Sequence, residues 1–275
     1  MDYVLNHCSR SLMEEDAILS IVVDLLQTIP NWHLAGLFVA GMVAFIISII
    51  SGGGGAILLI PITSWMLGAA AAPPVINLAT FISNGSRIYL FWHDIDWSLT
   101  KYYVPSAIVG AWLAALIFSR LDANWIQLLV GVFLVSTIFQ YKFGKVSKTF
   151  DMPKVGFIPL GFVIAFLSTL VGGLGPILNP FYMNAGLEKE NLIATKTANS
   201  FFVGIVQIGS YTFFGLLTTK IWVYGLVLGL GAVIGNIIGK RFLAGMSISQ
   251  FRIMLLMLMV ISGLIMIVRN INVIF

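Results

Sequence analysis

Charge is what this sequence has little of. Of its 275 residues only 9% are Asp, Glu, Lys or Arg, and 59% are hydrophobic; a water-soluble domain carries roughly a quarter charged residues. Such a chain cannot cover itself with polar surface, and its solvent is lipid. Cysteine is almost absent. The one residue, Cys8, lies outside every apolar run, which excludes a disulfide framework, a cysteine metal site within one chain, and thiol chemistry in the membrane. HExxH, GxSxG and the Walker lysine are missing, so an intramembrane hydrolase and an ATP-driven pump have no visible machinery. Acidic residues avoid the apolar runs. Of eleven carboxylates, Asp94, Asp96, Asp122, Asp151, Glu188 and Glu190 are expected in loops and the rest are N-terminal. The net charge is +4, yet the basic residues are scattered through short loops without forming a stripe. That excludes nucleic acid as a partner and reads as topology control. Neither a cofactor nor a metal is expected.

What is present is a series of apolar segments: 32–50, 56–68, 74–92, 102–119, 124–141, 156–170, 176–186, 191–214, 221–239 and 250–268. Before them, Ile18, Ile21, Val22, Leu25, Leu26 and Ile29 recur at helical spacing and predict an amphipathic interfacial helix within an N-terminal segment 1–31. Glu14, Glu15 and Asp16 stand where a cleaved signal peptide would be basic, so none is expected. Between the fifth and sixth segments lies a polar stretch with Lys142, Lys145, Lys148 and Lys154, predicted as a basic cytoplasmic linker over 142–155. It divides a first transmembrane repeat, 32–141, from a second, 156–275.

The two halves resemble each other. Gly53, Gly54 and Pro61 align with Gly172, Gly173 and Pro180 without a gap, and Asn77-Leu-Ala-Thr-Phe81 aligns with Thr197-Ala-Asn-Ser-Phe201 after a one-residue insertion. The pieces 56–68 and 176–186 that follow the glycine runs are too short to cross ~30 Å of hydrocarbon at about 1.5 Å per residue. Each half therefore reads as a re-entrant helical hairpin broken at a Gly-rich turn, followed by three transmembrane helices. Three crossings per half make the repeats inverted. The expected fold is an all-α polytopic membrane protein of this design. It puts Lys101, the linker lysines, Lys189, Lys196, Lys240, Arg241 and Arg252 on one face, taken as cytoplasmic, and both termini outside a plasma or bacterial inner membrane.

Broken membrane helices free N–H and C=O groups that protein, water or ligand must satisfy. The second arms are predicted to start near Gly55–Ala56 and Gly175–Pro176, offering unpaired N–H donors to an anion at mid-bilayer; tight helix packing is the alternative role for these glycines. Two cations, Arg87 and Lys196, sit inside apolar segments, either attracting or gating an anion or snorkelling to the basic face. Asn77, Thr80 and Asn84 share one helical face, with Ser83 nearby. Asn199, Ser200 and Gln207 form a looser equivalent, with Asn179 and Thr197 close in sequence.

The duplicated glycine–proline breaks, the Ala-Thr and Asn-Ser-Phe stretches and the basic linker resemble the TauE/SafE sulfite exporter family of membrane transporters, over nearly all of the chain after residue 32. The resemblance implies transport of a small sulfur-containing or organic anion such as sulfite or a sulfonate. Leu174, Pro176 and Asn179 stand where the first break has Gly55, Ile57 and Ile60, so the half-sites are expected to play unequal roles. The expectation is a secondary carrier, a probable exporter working by alternating access. Its anion would be bound by Gly53, Gly54, Gly55, Ala56, Asn77, Thr80, Gly172, Gly173, Gly175, Asn179, Asn199 and Ser200, with Arg87 and Lys196 attracting it. An anion or small-solute channel and a non-transporting scaffold are the alternatives; an enzyme is not expected. Partners are the small anion and lipid, with a homodimer left open.

Overall fold

The computed structural model describes residues 30–50, 55–68, 71–120, 151–172, 174, 178–187, 189–244, 264 and 268. The amphipathic segment before residue 30, Gly53, Gly54, Gly173, Gly175, the segment 124–141, the linker up to residue 150 and nearly all of 250–268 lie outside the described residues. The chain divides between Gly36 and Leu37 into two units, and every contact described below lies within the second.

The described elements are α1 (Asn31–Ile50), α2 (Gly55–Leu67), α3 (Ala72–Leu90), α4 (Trp97–Phe118), α5 (Phe157–Val171), α6 (Asn179–Asn184), α7 (Lys189–Phe213) and α8 (Thr219–Ala244). Short 3-10 turns at Trp92–Asp94 and Lys154–Gly156 complete them, and no strand occurs among the described residues. Local chemistry sets the boundaries. Pro73 and Pro74 open α3 in its first turn, where no N–H is needed. The Asp96 carboxylate accepts from the backbone N–H of Ser98 at 2.9 Å and of Leu99 at 3.2 Å, capping α4. Gly172 closes α5 with φ 97°, its N–H returning to Ser168 O at 2.9 Å; that left-handed cap suits glycine.

Among the described residues four stretches are long and apolar enough to cross a membrane: Asn31–Ile49, Trp97–Phe118, Lys154–Val171 and Thr219–Phe242. With 19 and 25 residues, α3 and α7 are about 28 and 37 Å long at the usual rise. They have the reach, but too many polar side chains to face lipid. They pack on each other instead, with α8 against α3 and α4 against α7. Backbone touches backbone through glycine. A Cβ on Gly41 would stand 2.3 Å from Leu228 O, and one on Gly161 2.5 Å from Tyr103 O. A Cβ on Gly235 would stand 2.3 Å from Met42 O, and one on Gly110 2.3 Å from Phe162 O. These contacts hold α1 on α8 and α5 on α4, as small residues do between helices in lipid.

One layer gathers several helix ends. Lys154 Nζ donates to Ser98 Oγ at 2.5 Å, Lys240 Nζ to Leu90 O at 2.8 Å, and the Asp96 N–H to Thr195 Oγ1 at 2.8 Å. Some boundaries differ from the sequence reading. Glu190, expected in a loop, is in the first turn of α7, where the helix dipole favours an acid. The described helix of the second arm, α6, begins at Asn179 with Pro180 in its first turn; Gly175 and Pro176 lie outside the described residues.

Candidate functional site

Between α3 and α7 lies a buried cavity of about 80 Å³, room for several waters or one small ion. From α3 it is lined by Asn77, Thr80, Phe81, Asn84 and Arg87, and from α7 by Lys196, Thr197, Ser200, Val203, Gly204 and Gln207. Phe45 and Ser48 of α1, Ala56 of α2, Tyr103 of α4, and Ile164 and Ser168 of α5 close it, with Leu174 and Leu178. The spacing on the two central helices is the same: Asn77, Thr80, Asn84 and Arg87 on one, Thr197, Ser200, Gly204 and Gln207 on the other. The aligned rings of Phe81 and Phe201 stack on each other, with centroids 5.0 Å apart and planes 14° from parallel.

Both cations line this cavity, and among the described residues no carboxylate does. Arg87 and Lys196 are each only 5% exposed, so neither head reaches water as snorkelling would require. Arg87 Nε donates to Asn236 Oδ1 at 2.8 Å, its Cζ lies 5.2 Å from the centroid of the Phe45 ring, and its Nη2 is buried without a partner. Lys196 Nζ donates to Asn179 Oδ1 at 2.7 Å. Two more lining groups, Thr80 Oγ1 and Asn84 Nδ2, are buried and unpartnered. Unmet buried polar groups are few in folded proteins, and here three of them belong to residues that line one cavity.

The other expected residues take varied places. Asn77 lines the cavity, but its Nδ2 donates to Tyr211 Oη at 2.9 Å and to Ser168 O at 3.5 Å. Tyr211 in turn gives its proton to Thr169 O, so its oxygen can only accept and Asn77 must donate. Asn199 turns away and donates to Tyr182 Oη at 2.5 Å. Asn179 meets the cavity only through Lys196. Gly55 starts α2 against Ala44 and Ser48, where a Cβ would stand 2.2 Å from Ala44 O; the chain has turned back on α1. Gly172 lies at the first turn of α3, 3.1 Å from Pro73 Cα measured from a built Cβ. Neither glycine lines the cavity, whereas Ala56 and Leu178, at the starts of the two second arms, do.

Sequence reasoning passed over Asn236 and Tyr211, and preferred Asn199 to Thr197. The alignment of Asn77 with Thr197 held the better signal. A lone amide inside the apolar run of α8 was the signal for Asn236.

Residues 37–266 match the family model described as Sulfite exporter TauE/SafE. The chain belongs to this family. Among curated relatives of the TauE/SafE chain, it is 24% identical over 159 residues to the probable membrane transporter protein YtnM of Bacillus subtilis (strain 168), covering 52% of this chain and 53% of that protein. The match thus spans about half the length of that relative. No solved structure matches the TauE/SafE chain significantly. The family and the apolar helices together make it a multi-pass membrane protein of a transporter family.

Proposed function

We propose that this transporter is a secondary carrier of a small oxyanion, sulfite or a related sulfonate, and that the ion sits between Arg87 and Lys196. The observation that carries the reading is the pair of buried cations on one cavity without a carboxylate on its walls. Holding two like charges away from water costs several kcal/mol each unless an opposite charge joins them. Thr80, Asn84, Thr197 and Ser200 supply neutral hydrogen bonds, and the first turn of α2 at Ala56 adds a helix N-terminus. Asn179 would act through Lys196. Gly53, Gly54, Gly173 and Gly175 are proposed contributors to the site; Gly172 closes α5 in a left-handed turn, and Asn199 anchors α6 through Tyr182.

Alternating access between two inverted halves is the proposed mechanism. Its support lies in paired contacts: Gly41 with Leu228 beside Gly161 with Tyr103, and Met42 with Gly235 beside Phe162 with Gly110. The stacked Phe81 and Phe201 add a contact between aligned positions. The layer holding Lys101, Lys154, Lys240 and Arg241 is proposed to face the cytoplasm, leaving Arg120 and Lys220 at the far helix ends. An anion leaving a negative interior gains ~2.3 kcal/mol per charge per 100 mV, so export needs no coupling ion.

Proteoliposomes holding the purified protein test this with sulfite, thiosulfate, sulfoacetate and simple carboxylates. Saturable sulfite flux is expected, with the half-saturation concentration raised at least ~30-fold by Arg87→Gln, as when one partner of a buried charge pair is removed. Non-saturating flux would make the protein a channel. Sulfite flux unchanged by Arg87→Gln would remove the cavity assignment.

A further inference from the structure

Asn236 lies on α8, outside the cavity lining, and is fully buried in a helix apolar enough to span a membrane. An amide in such a run is costly unless its hydrogen bonds are met inside the protein. They are met on both ends. Its Oδ1 accepts from Arg87 Nε at 2.8 Å. Its Nδ2 donates to Ser83 Oγ at 2.8 Å, Ser86 Oγ at 3.0 Å and Ser83 O at 3.1 Å. A backbone carbonyl only accepts, so the bond to Ser83 O fixes which end of the amide is nitrogen and turns the oxygen toward Arg87. The guanidinium is thereby held at Nε, with the Phe45 ring near its carbon. Its Nη2 is left buried and unpartnered, on a side chain that lines the cavity.

A bland role for Asn236 is glue between α3 and α8. The paired helix contacts provide an internal comparison. Asn236 follows Gly235 as Ala111 follows Gly110, and those two glycines make the matching close approaches to Met42 O and Phe162 O. Counting on from the stacked Phe81 and Phe201, the position matching Arg87 is Gln207, which donates to Thr169 Oγ1 at 2.8 Å and Ser168 Oγ at 3.3 Å. Where the central helix has glutamine at the position of the arginine, the outer helix packs with a buried alanine. The amide accompanies the arginine.

We infer that Asn236 is the positioning residue of the anion site: fixed by Ser83 and Ser86, it locks the Arg87 guanidinium so that its distal edge is presented to an oxyanion. Locking matters because a guanidinium recognises oxyanions through a planar fork, whose value is lost when the plane is free to turn. The inference rests on the proposed anion site at Arg87.

The test is sulfite flux in proteoliposomes for wild type, Asn236→Ala, Arg87→Gln and the double variant. Asn236→Ala should raise the half-saturation concentration about tenfold, the size expected for a hydrogen bond to a charged group, with the maximal rate within twofold. In the Arg87→Gln background the same substitution should add nothing. Simple glue would lower melting temperature and maximal rate equally in both backgrounds and leave half-saturation unchanged, which overturns the inference alone. If Arg87→Gln itself leaves sulfite half-saturation unchanged, or wild type shows no saturation by sulfite, the proposed site fails and this role with it. Should Asn236→Ala not fold, Ser86→Ala removes one of the bonds that orient the amide. A rise of about twofold to threefold, seen only with Arg87 present, supports the role, and none contradicts it.

Discussion

Hydrogen-bond partners, more than residue type, decide what each polar side chain between α3 and α7 is free to do. Thr197 and Ser200 line the cavity, whereas Asn199 is engaged with Tyr182. Thr197→Val and Ser200→Ala should each raise sulfite half-saturation by about fivefold, the worth of one neutral hydrogen bond. Asn199→Ala should instead lower the melting temperature and leave half-saturation within twofold; the reverse pattern would reassign the two roles. The polar character of this stretch was legible in the sequence. The choice among neighbours was not, because an amide draws attention by chemistry while the helix decides by phase. Asp96 makes a second residue-scale case. Burial by itself raises its carboxyl, but hydrogen bonds from the Ser98 hydroxyl and from the Leu99 and Ser98 backbone N–H groups, with Lys154 nearby, outweigh this and hold it below the usual carboxylate value. A carboxyl lowered in the fold stabilises it above the unfolded pKa, and that contribution fades as pH falls through the lowered value. Asp96→Ala should therefore cost about 1 kcal/mol near neutral pH through the lost cap. The gap in melting temperature from wild type should narrow on acidification; a constant gap would show that charge plays no part.

At the scale of elements, the packing depends on glycines that admit a neighbouring backbone. Gly110→Ala would set a Cβ 2.3 Å from Phe162 O, and helices that cannot part by that much lose at least ~2 kcal/mol. The variant should melt well below wild type in detergent. Gly209, also helical, has nothing within 4 Å of a built Cβ, and Gly209→Ala should melt no lower than wild type because alanine favours the helix by about 0.5–1 kcal/mol. Equal behaviour of the two variants would contradict the packing account. Eight helices lie close to the apolar runs that announce them, since a run of lipid-soluble residues has few other ways to satisfy its backbone. The starts were harder to read. Proline at 176 suggested a first turn and lies outside the described residues, whereas Pro180 opens the described helix α6; a sequence offers two prolines without saying which the chain will use.

For the whole molecule, the sequence's scarcity of charge and the position of its two buried cations form one argument. A chain with 9% charged residues places two of them on one small cavity and keeps carboxylates off its walls. The correspondence of Phe81 with Phe201 was legible in the sequence, and the two rings stack on each other. Asn236 was not, since its reason for existing is a side chain far away in sequence. If the cargo moves as a net negative charge, an imposed 100 mV should drive its accumulation by about 50-fold per charge carried, the equivalent of ~2.3 kcal/mol. A sulfite gradient indifferent to voltage would mean that a cation travels with it. The most direct measurement uses selenite, an electron-dense counterpart of sulfite, in crystals of the full chain. The account predicts an anomalous peak between the Arg87 guanidinium and the Lys196 ammonium, absent in Arg87→Gln. A cavity empty of selenium in wild-type protein that carries selenite across a bilayer would contradict it.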